Sequence, residues 1–270
     1  MNIAIISSTK DPASTNIKEN LINNFNKSEE QFDNNNIYEF KDNKNIKLYT
    51  IDSELINTDD LDNKIDADLF IFISKHKAQE DRASLTCHAI GNFGKAEFGG
   101  IEKTLCKSNA SFLKEIFIEL NNNVKEPYEV TMEATHHGPF LERPVLFVEL
   151  GSNEKYWKDK NGGSIIAKSL INIFNKDKGN YESTFIIGGS HYNHVANKAM
   201  LKSNLAIGHI CAKYNLQILD ENLIEQAMKK IIPKPKFVLL DWKGLGKEKA
   251  RILDILEKNN IKYRRSDKEF

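Results

Sequence analysis

The sequence predicts an α/β protein: a mixed β-sheet flanked by helices on both faces, forming a single domain over residues 1–270. Three observations carry that expectation. Six short apolar runs, at 3–7, 69–74, 130–134, 145–150, 185–188 and 237–240, have the length and residue types of strands. Most of them lack clean polar alternation, so both faces need cover. Segments with helical spacing lie between them, and 270 residues are ample for one large core.

Taken in order, 2–8 is a buried strand, followed by a polar loop and a helix that Ser14 or Thr15 can cap, with Ile17, Leu21, Ile22 and Phe25 inward. No glycine-rich phosphate loop follows, so no dinucleotide is expected. Residues 26–45 are polar and asparagine-rich, an exposed excursion around a short strand at 37–40, with another strand at 46–51. Asp59, Asp60, Asp62 and Asp66 lack the glycine and closing glutamate of a calcium loop and are expected as surface charge. After the central strand at 69–74, Lys75, His76, Lys77 and Arg82 form a basic cluster that would seat a phosphate or a carboxylate, or else a solvated loop. A short strand at 84–87 leads to His88, and Gly91, Gly94, Gly99 and Gly100 then expose backbone N–H groups. The clearest helix spans 103–121.

The strand around 130 ends in His136-His137-Gly138-Pro139. Neighbours in a strand point to opposite faces, so both imidazoles reach one pocket only if the chain bends there. A hydrogen-bonded structural pair is the plain alternative. Ser152 is expected to cap the next helix, Gly162-Gly163 to interrupt it, and a second helix to cover 164–174. A turn over 176–182 leads to the strand near 184, which ends in Gly188-Gly189-Ser190-His191. Helices are expected at 195–205, 222–232 and 247–259.

Lys plus Arg and Asp plus Glu number 38 each, so the chain has no overall basic excess. The basic charge is concentrated at the C-terminal segment 229–270, which carries thirteen basic and six acidic residues and leaves the rest net acidic. Such an end meets phosphate or simply makes a solvated surface. Within it, Lys243 and Lys247 flank Gly244 and Gly246, with Arg264 and Arg265 further along. Cys87, Cys106 and Cys211 form neither a disulfide framework nor a zinc knuckle and suggest a reducing compartment. With no signal peptide and no apolar run long enough for a membrane, a cytoplasmic protein is expected, with no protein partner evident and a monomeric state.

Thr135-His-His-Gly-Pro139, Gly188-Gly-Ser-His-Tyr192 and Gly91-Asn-Phe-Gly94, in order with 10–13, 149–152 and 240–246, resemble the archaeal and plant type of D-aminoacyl-tRNA deacylase. The resemblance implies a phosphorylase/hydrolase-like fold related to peptidyl-tRNA hydrolases, D-aminoacyl-tRNA as substrate, and zinc as cofactor. Two departures stand out: Ser190 where a third glycine is usual, and Asn193-His194 in place of alanine-proline. His194 is therefore not expected to be essential.

His137, His136 and His88 are the candidate catalytic residues. His88, His136 and His191 are candidate zinc ligands, with His209 also in a position to supply one. Against a metal, no His-Glu-x-x-His or comparable motif is present. The alternative is an imidazole acting as general base to water or to the ribose hydroxyl, and the sequence leaves the two mechanisms open. Gly91, Asn92, Phe93 and Gly94 are the candidate wall against the wrong enantiomer, and Lys75, Lys243 and Lys247 the candidate tRNA contacts. A zinc exopeptidase, a nucleoside phosphorylase-like enzyme and a non-catalytic tRNA-binding module stay open as alternatives.

Overall fold

Eight strands, Ile3–Ser8 (β1), Phe25–Phe32 (β2), Asn35–Phe40 (β3), Asn43–Ile51 (β4), Leu69–Lys77 (β5), Ser84–Ala89 (β6), Glu129–Met132 (β7) and Val145–Ser152 (β8), build one mixed sheet in the order β7-β6-β8-β5-β1-β4-β3-β2. They are seen in a computed structural model that describes residues 1–176 and 179–270; residues 177 and 178, within the turn expected over 176–182, lie outside the described residues. β1 runs parallel to β4 and β5, and β8 parallel to β5, while β6 is antiparallel to β8. The polar stretch 26–45 is not a loose excursion: it forms most of the β2–β3–β4 antiparallel edge of this sheet.

The strands expected in a single sheet are divided between two. Glu182–Ile187 (β9), Leu205–Cys211 (β10), Val238–Leu240 (β11) and Tyr263–Arg265 (β12) pair with one another in a parallel sheet ordered β10-β9-β11-β12. A strand's composition shows that it needs a partner, not which one.

Six helices of eight residues or more cover these sheets among the described residues: Pro12–Leu21 (α1), Ala110–Asn123 (α2), Lys160–Phe174 (α3), His194–Lys202 (α4), Glu221–Lys230 (α5) and Lys249–Lys258 (α6). Asp11, not Ser14 or Thr15, caps α1, accepting from the Ser14 N–H with Pro12 in the first turn. α2 starts later than expected because 104–105 and 108–109 pair as short strands. Asn153, not Ser152, caps the one-turn helix Glu154–Trp157. Gly162 and Gly163 sit inside the first turn of α3 rather than interrupting a helix. They allow close packing there, since a Cβ on Gly162 would lie 2.5 Å from Leu150 Cδ1 and one on Gly163 a similar distance from Asn16.

Alternation along the strands sorts the core into faces. Ile5, Ile71, Leu85 and Val148 of the large sheet meet α1, α2 and α3, and this cluster continues into Ile186, Ile207 and Leu239 of the small sheet beneath α2 and α4. Phe185, Ile187, Val238 and Leu240 face the other way, against α5 and α6. The second face of the large sheet packs Ile6, Phe70, Phe72 and Phe147 under the 3-10 turns Leu55–Asn57 and Leu61–Asn63. Toward the carboxyl ends of β5 and β8 that face turns polar, with Ser74, His76 and Glu149 all buried.

Candidate active site

Register assembles the site on this polar patch of the sheet face, at the carboxyl ends of β5 and β8. Glu149 of β8 lies beside Ser74 of β5 and opposite Thr86 of β6, and His88 lies opposite Phe147. Phe72, Phe147 and His88 stack in a row beneath it, with centroids 4.9 and 5.6 Å apart. The chain leaving β7 then crosses to the small sheet. Glu133 bridges Tyr192, the Ala134 N–H donates to His191 O at 2.8 Å, and the Thr135 N–H donates to Ile210 O at 3.0 Å. At His137 the backbone takes a left-handed turn, φ 45°. That turn answers the sequence's objection, because it brings both neighbouring imidazoles to one side.

Four histidines meet there. Ring centroids are 4.3 Å apart for His88–His136, 4.4 Å for His136–His137, 4.9 Å for His88–His137 and 4.7 Å for His136–His191. Nδ1 of His88, His136 and His137 lies 3.2, 2.8 and 2.6 Å from the carbonyls of Ala89, Ala134 and Gly138. A carbonyl only accepts, so in the neutral form of each ring Nδ1 carries the proton and Nε2 presents a lone pair. One ligand atom from each of these three residues lies within 4.8 Å of the others. His191 is oriented differently, with Nε2 2.9 Å from Glu133 and Nδ1 2.9 Å from the Tyr214 hydroxyl. The three-histidine set therefore contains His137 where the sequence put His191, which groups instead with Glu133 and His136.

A charged layer missed by the sequence reading lies beneath the imidazoles. His76 Nδ1 is 3.1 Å from Glu133 and 3.5 Å from Glu149, and its Nε2 meets the Tyr192 hydroxyl at 2.8 Å. Burial opposes charge on His76, but the two carboxylates outweigh it and raise its pKa to about 12. Burial likewise works against Glu133 and Glu149, yet His76 holds the first well below the carboxylate range and the second at about 2. Burial first, and then charge at His88, keeps His137 low, at about 4. The available signal was the carboxylate type itself: Glu133 and Glu149 stand at the ends of apolar strands, where an unpaired acid is costly.

Other expected site residues fall elsewhere. His209 is buried between Thr135 and the Cys106 carbonyl, 3.1 and 3.0 Å away, so both nitrogens are spent on structure. Gly91, Asn92, Phe93 and Gly94 do not line the main cavity. Gly91, at φ 135°, presses on Leu105 and donates its N–H to His137 O at 2.9 Å. Asn92 ties the same loop to Gly99 O at 2.9 Å, and Phe93 is buried against Phe185. This stretch supports the histidine turn from behind. The cavity itself, about 710 Å³, is lined by His136, His137, His191, Glu149, Lys75 and the exposed Phe98. In the basic cluster Lys75, 3.4 Å from Glu54, and Lys77 line its rim, while His76 is buried and Arg82 pairs with Glu129. Lys243 and Lys247 are exposed on the loop whose Gly244 closes on Gly189, next to the turn that carries His191. Arg264 and Arg265 are paired with Glu182 and Asp267, not free.

A family model described as D-aminoacyl-tRNA deacylase matches residues 63–264. The chain is 36% identical over 250 residues to the D-aminoacyl-tRNA deacylase of Pyrococcus furiosus, covering 89% of this chain and 91% of that one. It is 33% identical over 251 residues to the protein of the same name from Thermococcus kodakarensis, with the same two shares, 89% and 91%. A crystal structure described as a conserved protein of unknown function superposes with a TM-score of 0.90 at 27% identity, covering 99% of this chain and 96% of that one.

Proposed function

The chain belongs to the D-aminoacyl-tRNA deacylase family, and from that premise we propose how its histidine cluster works. The reaction is hydrolysis of the ester joining a D-amino acid to tRNA, which releases free D-amino acid and tRNA and so clears mischarged tRNA.

The observation that carries the mechanism is the trio of Nδ1–carbonyl contacts at His88, His136 and His137. Metal-binding imidazoles ordinarily tie their second nitrogen in this way, and three histidines with an open fourth position make a catalytic zinc set. The buried Nε2 of His88, which has no hydrogen-bond partner among the described residues and lies 3.7 Å from Glu149, fits the same role. When bound, zinc would polarise the ester carbonyl and lower the pKa of a bound water.

The chain's own groups do the rest. Glu133 accepts the Nε2–H of His191, which leaves Nδ1 as the basic nitrogen beside Tyr214. His191 takes a proton from the attacking water, relayed by the Tyr214 hydroxyl that donates to its Nδ1, as the water oxygen bonds to the carbonyl carbon. The bond to the ribose oxygen then breaks, and His191 returns the proton to that oxygen. Because His76 keeps Glu133 ionised, Glu133 can stabilise the imidazolium in between. Lys75 and Lys77 at the rim suit the phosphates of the tRNA end. The enzyme works in the cytoplasm, where its substrate is, and its three free, buried thiols suit a reducing compartment.

The test is incubation of the purified protein with D-tyrosyl-tRNA and L-tyrosyl-tRNA, with and without chelator. Release from the D-ester alone, lost on chelation and restored by zinc, is the expected result. Release from the D-ester untouched by chelator would remove the metal from the mechanism, and equal release from both esters would overturn the chiral assignment.

A further inference from the structure

Ser84, Thr86 and His88 are alternate residues of β6, so their side chains share the sheet face that carries the site. Register sets them opposite Gly151, Glu149 and Phe147. Each ends in a buried atom without a hydrogen-bond partner among the described residues: Ser84 Oγ, Thr86 Oγ1 and His88 Nε2, the last 3.7 Å from Glu149. Among the described residues the only other such atom is Glu133 Oε1, whose contact with His76 is close but poorly aligned. Among the described residues, unmet polar demand outside Glu133 is thus confined to this one strip. Burying a hydroxyl unpaired is costly, and two in succession, leading to a candidate zinc ligand, call for a shared partner running beside them. Four residues of extended chain span about 13 Å, the length of a short file of waters.

One end of the strip opens into a second cavity of about 300 Å³, whose lining includes Ser84, Thr131, Ser152, His194 and Asn197. At about 30 Å³ per water it has room for several. His76 and Tyr192 border both this cavity and the main one, and their 2.8 Å hydrogen bond stands between the two. On the deacylase reading, the tRNA terminus occupies the main cavity while each turnover consumes a water.

We propose that the small cavity and the hydroxyls of Ser84 and Thr86 form a water-supply track that delivers the hydrolytic water to His88 and Glu149 from beyond the His76–Tyr192 pair. Thr86, opposite Glu149, is then a positioning residue: its hydroxyl hands each water along, and it touches no substrate.

Thr86→Val keeps the shape and removes the hydroxyl. We expect kcat to fall about tenfold at unchanged KM, equally for D-alanyl-tRNA and D-tyrosyl-tRNA, with Thr86→Ser restoring the rate. A crystal structure of the wild type should show ordered waters on Ser84 Oγ and Thr86 Oγ1. Should Thr86→Val fail to fold, Thr131→Leu narrows the small cavity from its wall and should give the same uniform loss. Wild-type rates in both variants, a dry strip, or a loss confined to the bulkier amino acid would overturn the proposal; the last would make the cavity a side-chain pocket. Failure of the wild type to deacylate any D-aminoacyl-tRNA would instead strike the functional reading, while the ordered waters would still report on the strip.

Discussion

Glu133 and His76 form an ion pair inside the protein, Oε1 3.1 Å from Nδ1, with 0% and 6% of their side chains exposed. Taking Glu133 away leaves the buried His76 charge with Glu149 alone, 3.5 Å off, at a cost of up to about 3–5 kcal/mol. Glu133→Gln should therefore lower stability by an amount in that range and also uncouple His191, reducing kcat well beyond what the stability loss explains. Urea unfolding and deacylation rates on the same preparation check both halves.

The same pair sets a pH dependence with two signs. His76 has a folded-state pKa raised to about 12, so its contribution is full below the ordinary histidine value of 6.5 and is lost as pH rises toward 12. Glu149 is lowered to about 2, so its contribution is full above 4.5 and is lost as pH falls toward 2. His137 and His209, held by burial at about 4 and about 3, contribute fully above 6.5 and lose that contribution as pH falls below it, so stability of the chelated protein should peak near pH 6.5 and decline on both sides. In Glu133→Gln the alkaline decline should flatten. A urea midpoint that is level from pH 5 to 10 in the wild type would contradict this.

Zinc content should separate His137 from His191. His88→Ala, His136→Ala and His137→Ala are each expected to lose the metal, measured by elemental analysis, since each removes one of three converging nitrogens. His191→Ala should keep it and lose rate, because its nitrogens serve Glu133 and Tyr214. Metal loss in His191→Ala with retention in His137→Ala would restore the ligand set expected from sequence.

Gly138→Ala tests the support behind the histidines. A Cβ there would lie 2.2 Å from Gly100 N and 2.4 Å from Gly99 C, both backbone atoms with little room to yield. Overpacking of this kind costs about 1–3 kcal/mol. The displaced turn should also reduce kcat more than KM changes, read by steady-state deacylation.

Lys243 and Lys247 are exposed beside the His191 turn, while their neighbour Trp242 is held by Lys249 and Arg265 at 4.3 and 3.9 Å from its ring. Replacing both lysines by alanine should raise KM on many tRNAs alike and reduce the salt slope by about one unit for each lost phosphate contact. Unchanged KM and slope would mean that these lysines are only solvated.

Strand positions and the histidine-bearing turns were legible because apolar runs and glycine punctuation are local signals. The second sheet was not, since pairing is decided by partners far along the chain: β9 meets β11 across some fifty residues. His76 was hidden for a related reason. Between Lys75 and Lys77 it looks like one member of a solvated basic loop, yet alternation on β5 sends it inward to Glu133 and Glu149 while its neighbours face out. The bend at His137 was a stated condition, but nothing local required it; the carbonyl of His137 is held by the Gly91 N–H, forty-six residues away.

Ile210 touches no substrate on this reading, yet its carbonyl fixes Thr135, and the next two residues are His136 and His137. His76, His88 and Glu149 come from the other sheet. Hydrolysis therefore behaves as a coincidence detector for the docking of two sheets. A lesion under α4 that shifts Ile207 should silence the enzyme while helix content is still intact, and two fragments divided between the sheets should each be inert until they reassociate.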